Sequence, residues 1–145
     1  MKIVNKKAYF NFQVIEDFTA GLVLVGSEVK SLRENNINFG DSFIYFKDGE
    51  LWVKNLSIAK YKESSYQNHE ELRDRKILLT KKEISKISKL SEVKGVAVVP
   101  LELFTLKGRF KLKVGVCRGK KEWDKRQDIK KRDTERELRR KDFWS

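Results

Sequence analysis

The stretch FIYFKDGELWVK, residues 43–54, carries the clearest local signal in the chain and predicts a β-hairpin. Asp48-Gly49 is a strong two-residue turn, because a type I′ turn needs positive φ at both central positions. Each aromatic, aliphatic or oppositely charged cross-strand pair stabilises such a hairpin by roughly 0.2–1 kcal/mol. Counting outward from the turn gives the pairs Lys47 with Glu50, Phe46 with Leu51, Tyr45 with Trp52 and Ile44 with Val53.

A second hairpin is predicted in residues 96–119, VAVVPLELFTLKGRFKLKVGVCRG, with its turn at Lys107-Gly108. Pro100 lacks a backbone donor, so we expect it at a sheet edge or a bulge. Cys117 ends a strand pattern and is expected to be a buried thiol; as the single cysteine it excludes an internal disulfide and a cysteine zinc site. The alternation predicts core positions at Phe110, Leu112, Val114 and Val116, with Lys111 and Lys113 facing solvent.

The N-terminal third predicts two more strands and a helix. Residues 1–7 are expected to be loose. Residues 9–18 alternate in polarity, with Phe10, Phe12 and Val14 on one face, and residues 20–26 form a nearly unbroken apolar run. The segment GSEVKSLREN, residues 26–35, predicts a short helix capped by Ser27.

A capping box predicts the start of another helix at Thr80, with Glu83 three residues later. Ile84, Ile87 and Leu90 recur at helical spacing, so we expect a helix from about residue 81 to 89. The polar residues 62–76 have no strand pattern and predict a loop or a short helical connection.

Together these patterns predict a mainly β protein, a small OB-like barrel with two or three flanking short helices. The barrel is assigned to residues 1–117, and residues 118–145 form a basic C-terminal tail. The tail carries few large apolar residues, so it is expected to be disordered in isolation. Acidic residues precede basic ones by four positions there, as at Glu122/Arg126 and Asp128/Arg132, which biases the tail toward helix on a partner.

Charge favours a polyanionic partner. The net charge is +12, with +5 in residues 118–145 and +7 in the remainder. Excess cations bind nucleic acid by releasing its condensed counterions. No run approaches the roughly 20 apolar residues of a membrane span and no signal peptide is present, so we expect a cytoplasmic protein without a membrane partner.

Enzymatic chemistry has weak support. The candidates are Asp17, Glu28 and Lys30, with Glu28-Val29-Lys30 in an E-x-K pattern of the kind found in metal nucleases, but such a pattern is frequent by chance in a chain with 37% charged residues. The single histidine, His69, has no second His or Cys nearby for a metal site, and is interpreted as a surface histidine or an RNA contact. No phosphate-binding loop is present. We therefore expect a binding protein, not an enzyme, without cofactor or metal.

The chain resembles the SmpB family, the small protein B that binds transfer-messenger RNA (tmRNA). Segments in order from about Asn5 to Asp133 carry the likeness, and GSEVKSLR (26–33), RKILL (75–79) and GKKEWDKR (119–126) together are highly specific. The chain departs from the family pattern at Thr19, Glu71 and Thr80, where relatives usually carry Glu, Pro and His or Asn.

The resemblance implies a function and its partners. Members are OB-type barrels that bind the tRNA-like domain of tmRNA and deliver it to stalled ribosomes for trans-translation. Their tail occupies the empty mRNA channel near the decoding centre, against rRNA, and folds there as a helix. Elongation factor Tu and alanyl-tRNA synthetase are reached indirectly through tmRNA, and we expect a monomer. The alternative that the residues leave open is a general rRNA-binding structural protein.

The resemblance also assigns residues by position. Residues of the barrel that fall in the family's RNA-facing or supporting motifs, and are expected to bind tmRNA, are Asn5, Lys7, Gly21, Glu28, Lys30, Ser31, Arg33, Arg75, Lys76 and Leu78. Residues of the tail that fall in the ribosome-facing motif are Lys120, Lys121, Asp124, Lys125, Arg126, Ile129, Lys130 and Arg132.

Overall fold

The computed structural model describes residues 1–61, 68–120 and 126. Within them the chain forms nine strands and three helices. The helices are α1 (Lys6–Asn11), α2 (Gly26–Arg33) and α3 (Lys81–Ser91). The strands are β1 (Lys2–Val4), β2 (Phe12–Leu22), β3 (Ile37–Asn38), β4 (Phe43–Lys47), β5 (Glu50–Lys54), β6 (Ser57–Ile58), β7 (Arg75–Leu78), β8 (Val96–Leu106) and β9 (Arg109–Gly119).

One seven-stranded antiparallel sheet dominates the fold. Its strand order is β1-β8-β9-β2-β7-β5-β4, and a separate pair joins β3 to β6. The sheet curls on itself, so that Cα atoms of the edge strand β4 come within 8 Å of Cα atoms in β8. Backbone pairing does not connect these two strands, so the barrel is closed there by side chains. The predicted mainly β, OB-like class is confirmed.

Local turn and cap chemistry explains the best-predicted elements. Asp48 and Gly49 have φ of 53° and 75°, and the hairpin around them has the predicted register from Lys47↔Glu50 outward. The second hairpin turns at Lys107-Gly108, with φ of 51° and 76°. At α3, the Thr80 hydroxyl accepts a hydrogen bond from the Glu83 N–H at 3.2 Å, as the capping box predicted.

Pro100 lies at a bulge, as expected. The pairing of β8 with β9 shifts register between Pro100 and Glu102. The bulged residue Leu101 fills the space above Gly115, where a Cβ atom would lie only 2.5 Å from the leucine Cδ1. The side chain of Leu101 is fully buried, so Gly115 is required by close packing.

Part of the N-terminal prediction was wrong, although the helix predicted from residue 26 is present as α2. Residues 2–4 form β1 against β8, and residues 6–11 form α1, so Phe10 belongs to a helix and not to a strand. Asn5 caps α1 by accepting the Ala8 N–H at 3.2 Å. The two predicted strands over residues 9–26 are one strand, β2. The alternation of Phe10, Phe12 and Val14 with polar residues resembles a strand pattern. A helix of six residues is too short to show a helical periodicity that would outweigh it.

Two further predictions need correction. Arg75 and Lys76 belong to β7, which pairs with both β2 and β5, where the sequence predicted a loop. Ser27 does not cap α2; residue 25 occupies the cap position. The predicted order and conformation of the tail concern residues outside the described range, and the division at residues 117/118 stays a prediction.

The main core lies inside the barrel, between the sheet, α2 and α3. Its fully buried side chains include Leu32, Leu51, Ile77, Ile87 and Leu112. A smaller cluster under α1 contains Ala8, Val99, Leu101 and Cys117. Burial raises the pKa of the Cys117 thiol to about 11, aided by the negative charge of Asp17. Cys117 is therefore the buried thiol that the sequence predicted.

Candidate nucleic-acid interface

The helix α2 is anchored at its first turn by a buried carboxylate. Glu28 has no exposed surface. One of its oxygens accepts the Val25 N–H at 2.9 Å, so it satisfies a backbone donor that the helix itself leaves unpaired. A negative charge at this end also complements the helix dipole. The orientation of α2 therefore depends on what holds Glu28.

Two arginines hold that carboxylate. Arg73 lies just before β7, and Arg75 is the first residue of β7. Arg73 donates to Glu28 Oε1 from Nε at 3.2 Å and from Nη2 at 2.5 Å, and Arg75 donates to Oε2 through Nε. Arg75 is as completely buried as Glu28. Its remaining donors reach the carbonyl oxygens of Leu56, Arg73, Glu70 and Glu71. This network ties α2 to residues 70–75 and to the end of β5.

The ionisation of Glu28 follows from this surrounding. Burial alone raises the pKa of its carboxyl, because a charge loses hydration. The hydrogen bonds from Arg73, the Val25 N–H and Arg75 outweigh burial, and hold the pKa below its usual value. Glu28 is therefore a carboxylate at neutral pH, and the guanidinium of Arg75 stays charged beside it.

The histidine is part of the same support. His69 is buried, with Nδ1 2.8 Å from the Ser27 hydroxyl and Nε2 2.7 Å from the Ile58 carbonyl oxygen. The interpretation as a surface histidine is wrong. His69 joins the first turn of α2 to β6, beside the Glu28 network. Because His69 is buried, its side chain is not exposed to a partner. The Ser27 hydroxyl is engaged with His69 and is therefore not available to cap the helix.

The outer face of α2 presents exposed cations. Lys30 and Arg33 are exposed and form no ion pair with a described carboxylate. The Lys30 ammonium lies 5.5 Å from the centroid of the Tyr61 ring. Tyr61 is held in turn by Asn68, which accepts its N–H at 3.1 Å and donates to its carbonyl oxygen at 3.0 Å. Ser31 is buried and donates to the Ala59 carbonyl oxygen at 2.6 Å.

A second group of predicted residues lies on β2 and β7. Gly21 pairs with Leu78, and a Cβ atom at Gly21 would come within 3.2 Å of the Leu78 Cβ. Leu78 is 49% exposed. Lys76 is partly exposed and forms an ion pair with Glu50 at 2.8 Å. Lys76 and Leu78 face the outer side of the sheet, since their neighbours Arg75 and Ile77 are buried.

The structure separates Asn5 and Lys7 from this surface. Asn5 is buried and donates to the Pro100 carbonyl oxygen at 2.8 Å, and Lys7 is exposed in an ion pair with Asp41. Both line a groove of about 710 Å³ at the β4–β8 closure. Lys120 lines the same groove, and its N–H donates to the Asn11 carbonyl oxygen at 2.9 Å. Asn5 and Lys7 thus form a group of predicted tmRNA residues apart from those on α2, β2 and β7. This group adjoins the start of the tail at Lys120.

The predicted residues divide into exposed and buried side chains. Lys30, Arg33, Lys76, Leu78 and Lys7 expose side-chain atoms, whereas Glu28, Ser31, Arg75 and Asn5 are buried. Arg75, which the resemblance placed in an RNA-facing or supporting motif, is buried and is therefore a candidate for support and not for phosphate contact. Among the tail residues, Arg126 is an exposed helical residue. The other predicted tail residues after Lys120 lie outside the described residues: Lys121, Asp124, Lys125, Ile129, Lys130 and Arg132.

The nuclease pattern does not assemble. Glu28 is occupied by two arginines, and Asp17 lies 3.7 Å from the Lys113 ammonium. Within residues 1–61, 68–120 and 126, no three His, Cys, Asp or Glu side chains are grouped to hold a metal ion. Nor does any helix in this part of the chain have the length and apolar character to cross a membrane.

Comparison with known proteins decides the family. The model of the family described as "SmpB protein" matches residues 2–142. The chain belongs to the SmpB family. The SsrA-binding protein of Treponema denticola is 51% identical over 136 residues, which cover 94% of this chain and 88% of that protein. The SsrA-binding protein of Anaplasma marginale is 50% identical over 143 residues, which cover 97% of this chain and 96% of the relative.

A solved structure supports the same SmpB fold. A chain from the structure described as "tmRNA-SmpB: a journey to the center of the bacterial ribosome" superposes with a TM-score of 0.71. It is 40% identical, and the match covers 83% of this chain and 85% of that one. The resemblance predicted from the sequence segments is confirmed.

Sequence reasoning missed the residues that hold this SmpB surface in place. Arg73, His69 and Ser27 were not assigned as supports of α2, although all three bond within the Glu28 region. The bonded partners are 45 and 42 residues apart in the chain. No local pattern relates such positions.

Proposed function

We propose that this chain binds the tRNA-like domain of tmRNA and delivers it to stalled ribosomes for trans-translation. Family membership carries this proposal, because relatives about 50% identical over nearly the full chain are SsrA-binding proteins. The matched solved structure, described as tmRNA-SmpB in the bacterial ribosome, supports the ribosome as a second partner. The role proposed for the chain is binding, without catalysis.

The geometry suggests how the barrel contacts its RNA. Lys30 and Arg33 are exposed on α2, and Lys76 and Leu78 lie on β7. Cationic side chains on a rigid surface bind phosphates and fix register, but they do not read base sequence. A folded RNA recognised by shape suits such a surface. Glu28, Arg75 and Ser31 act by positioning the helix, since their own side chains are buried.

The tail is proposed as the ribosomal element. Residues 118–145 carry a net charge of +5, so they suit an rRNA-lined channel emptied of mRNA. We assign this role to the residues Lys120, Lys121, Asp124, Lys125, Arg126, Ile129, Lys130 and Arg132. Elongation factor Tu and alanyl-tRNA synthetase are proposed as indirect partners through tmRNA. The chain is proposed to act as a cytoplasmic monomer.

Identification of the bound RNA tests the proposal directly. The tagged full-length protein is purified from its own cells, and the RNA that accompanies it is sequenced. We expect strong enrichment of tmRNA over total RNA, and enrichment of the protein on ribosomes stalled without a stop codon. Equal presence on all ribosomes, with rRNA alone recovered, would instead establish the general rRNA-binding alternative.

A further inference from the structure

The outer face of the β4–β5–β7 sheet is unusually aromatic. The register places Phe43 opposite Lys54, and Tyr45 opposite Trp52, which is opposite Lys76. Side chains alternate between the two faces of a sheet. The neighbours Ile44, Leu51, Val53, Arg75 and Ile77 are buried, so the aromatic residues point away from the core.

These rings remain accessible on the outer face. Phe43 is 41% exposed, and Tyr45 and Trp52 are partly exposed. The rings of Phe43 and Tyr45 are tilted at 52°, with centroids 6.2 Å apart. The Tyr45 hydroxyl donates to Asp74 at 2.8 Å, which fixes that ring. An exposed phenylalanine beside a tyrosine and a tryptophan is an accessible π surface of one sheet.

Cations accompany the aromatic rings. Lys54 is exposed, directly across from Phe43, and it forms no ion pair with a described carboxylate. Lys47 lies at the end of the same face. On the same face, Glu50 pairs with Lys76 at 2.8 Å, and the Asp74 carboxylate accepts a hydrogen bond from the Tyr45 hydroxyl while keeping its negative charge. Three lysines, Lys47, Lys54 and Lys76, thus stand against two carboxylates. The charge available to a ligand on this face is therefore positive.

We propose that this outer face, formed by Phe43, Tyr45, Trp52 and Lys54, binds unpaired RNA bases by stacking. Aromatic side chains on an open sheet offer a platform for single-stranded bases, and neighbouring lysines attract the linking phosphates. A paired base hides its faces in the helix stack, so the platform selects unpaired nucleotides. It adds a base-contacting surface to the phosphate-contacting helix α2.

This inference rests on the proposed function to the extent that the chain binds RNA, but it does not require that RNA to be tmRNA. The probe is therefore a fluorescein-labelled octaadenylate, which has no folded structure. Its affinity for the full-length protein is measured by fluorescence anisotropy at low salt. The comparison ligand is an eight-base-pair RNA duplex. We expect Phe43→Ala to weaken binding of the single strand and to leave duplex binding unchanged; equal losses for the two ligands overturn the inference.

The decisive variants lie on one strand. Phe43→Ala is expected to weaken octaadenylate binding about tenfold, within the range measured for loss of one base–aromatic stack. Phe46→Ala is the matched control, because Phe46 is 37% exposed on the opposite face of β4. It should change affinity less than twofold. Equal losses in the two variants would contradict a stacking site on the outer face.

Conservative replacements separate stacking from packing. Phe43→Tyr keeps the ring and should keep the affinity, whereas Phe43→Leu keeps apolar bulk and should lose affinity as Phe43→Ala does. Full binding by the leucine variant overturns the inference. Lys54→Ala should lower the slope of log affinity against log salt by about 1, and Phe43→Ala should leave that slope unchanged.

Trp52 supplies a direct optical readout. The chain has three tryptophans, so Trp123→Phe with Trp144→Phe leaves Trp52 alone on the platform. Saturating octaadenylate should quench its fluorescence, and Phe43→Ala should shift the quenching curve by the same factor as the anisotropy curve. Binding without any change in Trp52 emission would place the RNA elsewhere. If octaadenylate binds as expected but no tmRNA co-purifies, the platform stands and the proposed function fails.

Discussion

Glu28 in the first turn of α2 and Arg75 at the start of β7 form a fully buried ion pair across 47 residues of chain. Removal of one member of a buried pair leaves the other charge unpaired and dehydrated. Glu28→Gln should therefore destabilise the fold by about 3–5 kcal/mol, measured by urea unfolding. Glu34→Gln, at the exposed end of the same helix, should change stability by less than about 0.5 kcal/mol. A Glu28→Gln variant as stable as wild type would contradict the anchoring role.

The same carboxylate predicts a dependence of stability on acid. Its pKa in the folded protein lies below the usual value of 4.5, owing to the arginines and the Val25 N–H that outweigh burial. A group with a lowered folded pKa stabilises the fold above its unfolded pKa, and that stabilisation is lost as pH falls through the folded value. Wild type should thus lose stability below about pH 4.5 more steeply than Glu28→Gln. Parallel curves for the two proteins would show that Glu28 does not carry the effect.

The thiol of Cys117 predicts a loss at the opposite end of the pH scale. Burial, with the charge of Asp17, raises its pKa from 9.0 to about 11. A raised folded pKa gives stabilisation that is present below pH 9 and lost as pH rises toward 11. The stability difference between wild type and Cys117→Ala should therefore narrow between pH 8 and pH 11, as followed by thermal unfolding at each pH. A constant difference would mean that the thiol has the same pKa in the folded and the unfolded protein.

The exposed cations of α2 predict an electrostatic share of RNA binding. Lys30→Ala with Arg33→Ala should weaken binding of the tmRNA tRNA-like domain and lower its log–log salt slope by about 2, about 1 for each lost phosphate contact. Binding is measured by filter retention at several salt concentrations. Lys82→Ala with Lys89→Ala removes the same charge from the exposed side of α3 and serves as the control. If both double variants shift the slope equally, RNA binding depends on the overall charge of the protein and not on the positions of Lys30 and Arg33.

The tail predicts a separation of two activities. Lys125→Ala with Arg126→Ala should leave tmRNA affinity within about twofold of wild type, because the proposed tmRNA surface lies on the barrel. Peptide tagging on ribosomes stalled without a stop codon should be abolished in a reconstituted translation assay. Should tmRNA affinity fall as far as in the α2 variant, the division between barrel and tail is wrong.

Sequence reasoning succeeded where short-range chemistry decides structure. The two hairpins and the start of α3 each depend on residues within four positions of one another, such as Asp48-Gly49 and Thr80 with Glu83. Their turn and cap rules contain the needed information. The helical spacing of Ile84, Ile87 and Leu90 added an apolar face whose burial is local to one helix.

Sequence reasoning failed where contacts between residues far apart in the chain determine the structure. The strand β1 exists because Ile3 pairs with Leu103, a hundred residues later. The strand β7 was missed because Arg75, a charged residue, occupies an inward position that the alternation rule reserves for apolar side chains. The distant Glu28 and four backbone carbonyls together make that burial possible. For the same reason the family resemblance assigned residues to the interface but did not divide contacts from supports.

The many donors of Arg75 have a kinetic consequence for recognition. Four backbone carbonyls and one carboxylate accept hydrogen bonds from the guanidinium of Arg75. A shift of residues 70–75 would therefore leave the buried charge of Arg75 without its partners. The surface beside α2 therefore meets its RNA already assembled. Encounter with the barrel should be rapid and electrostatically steered, with little entropy spent on ordering the protein.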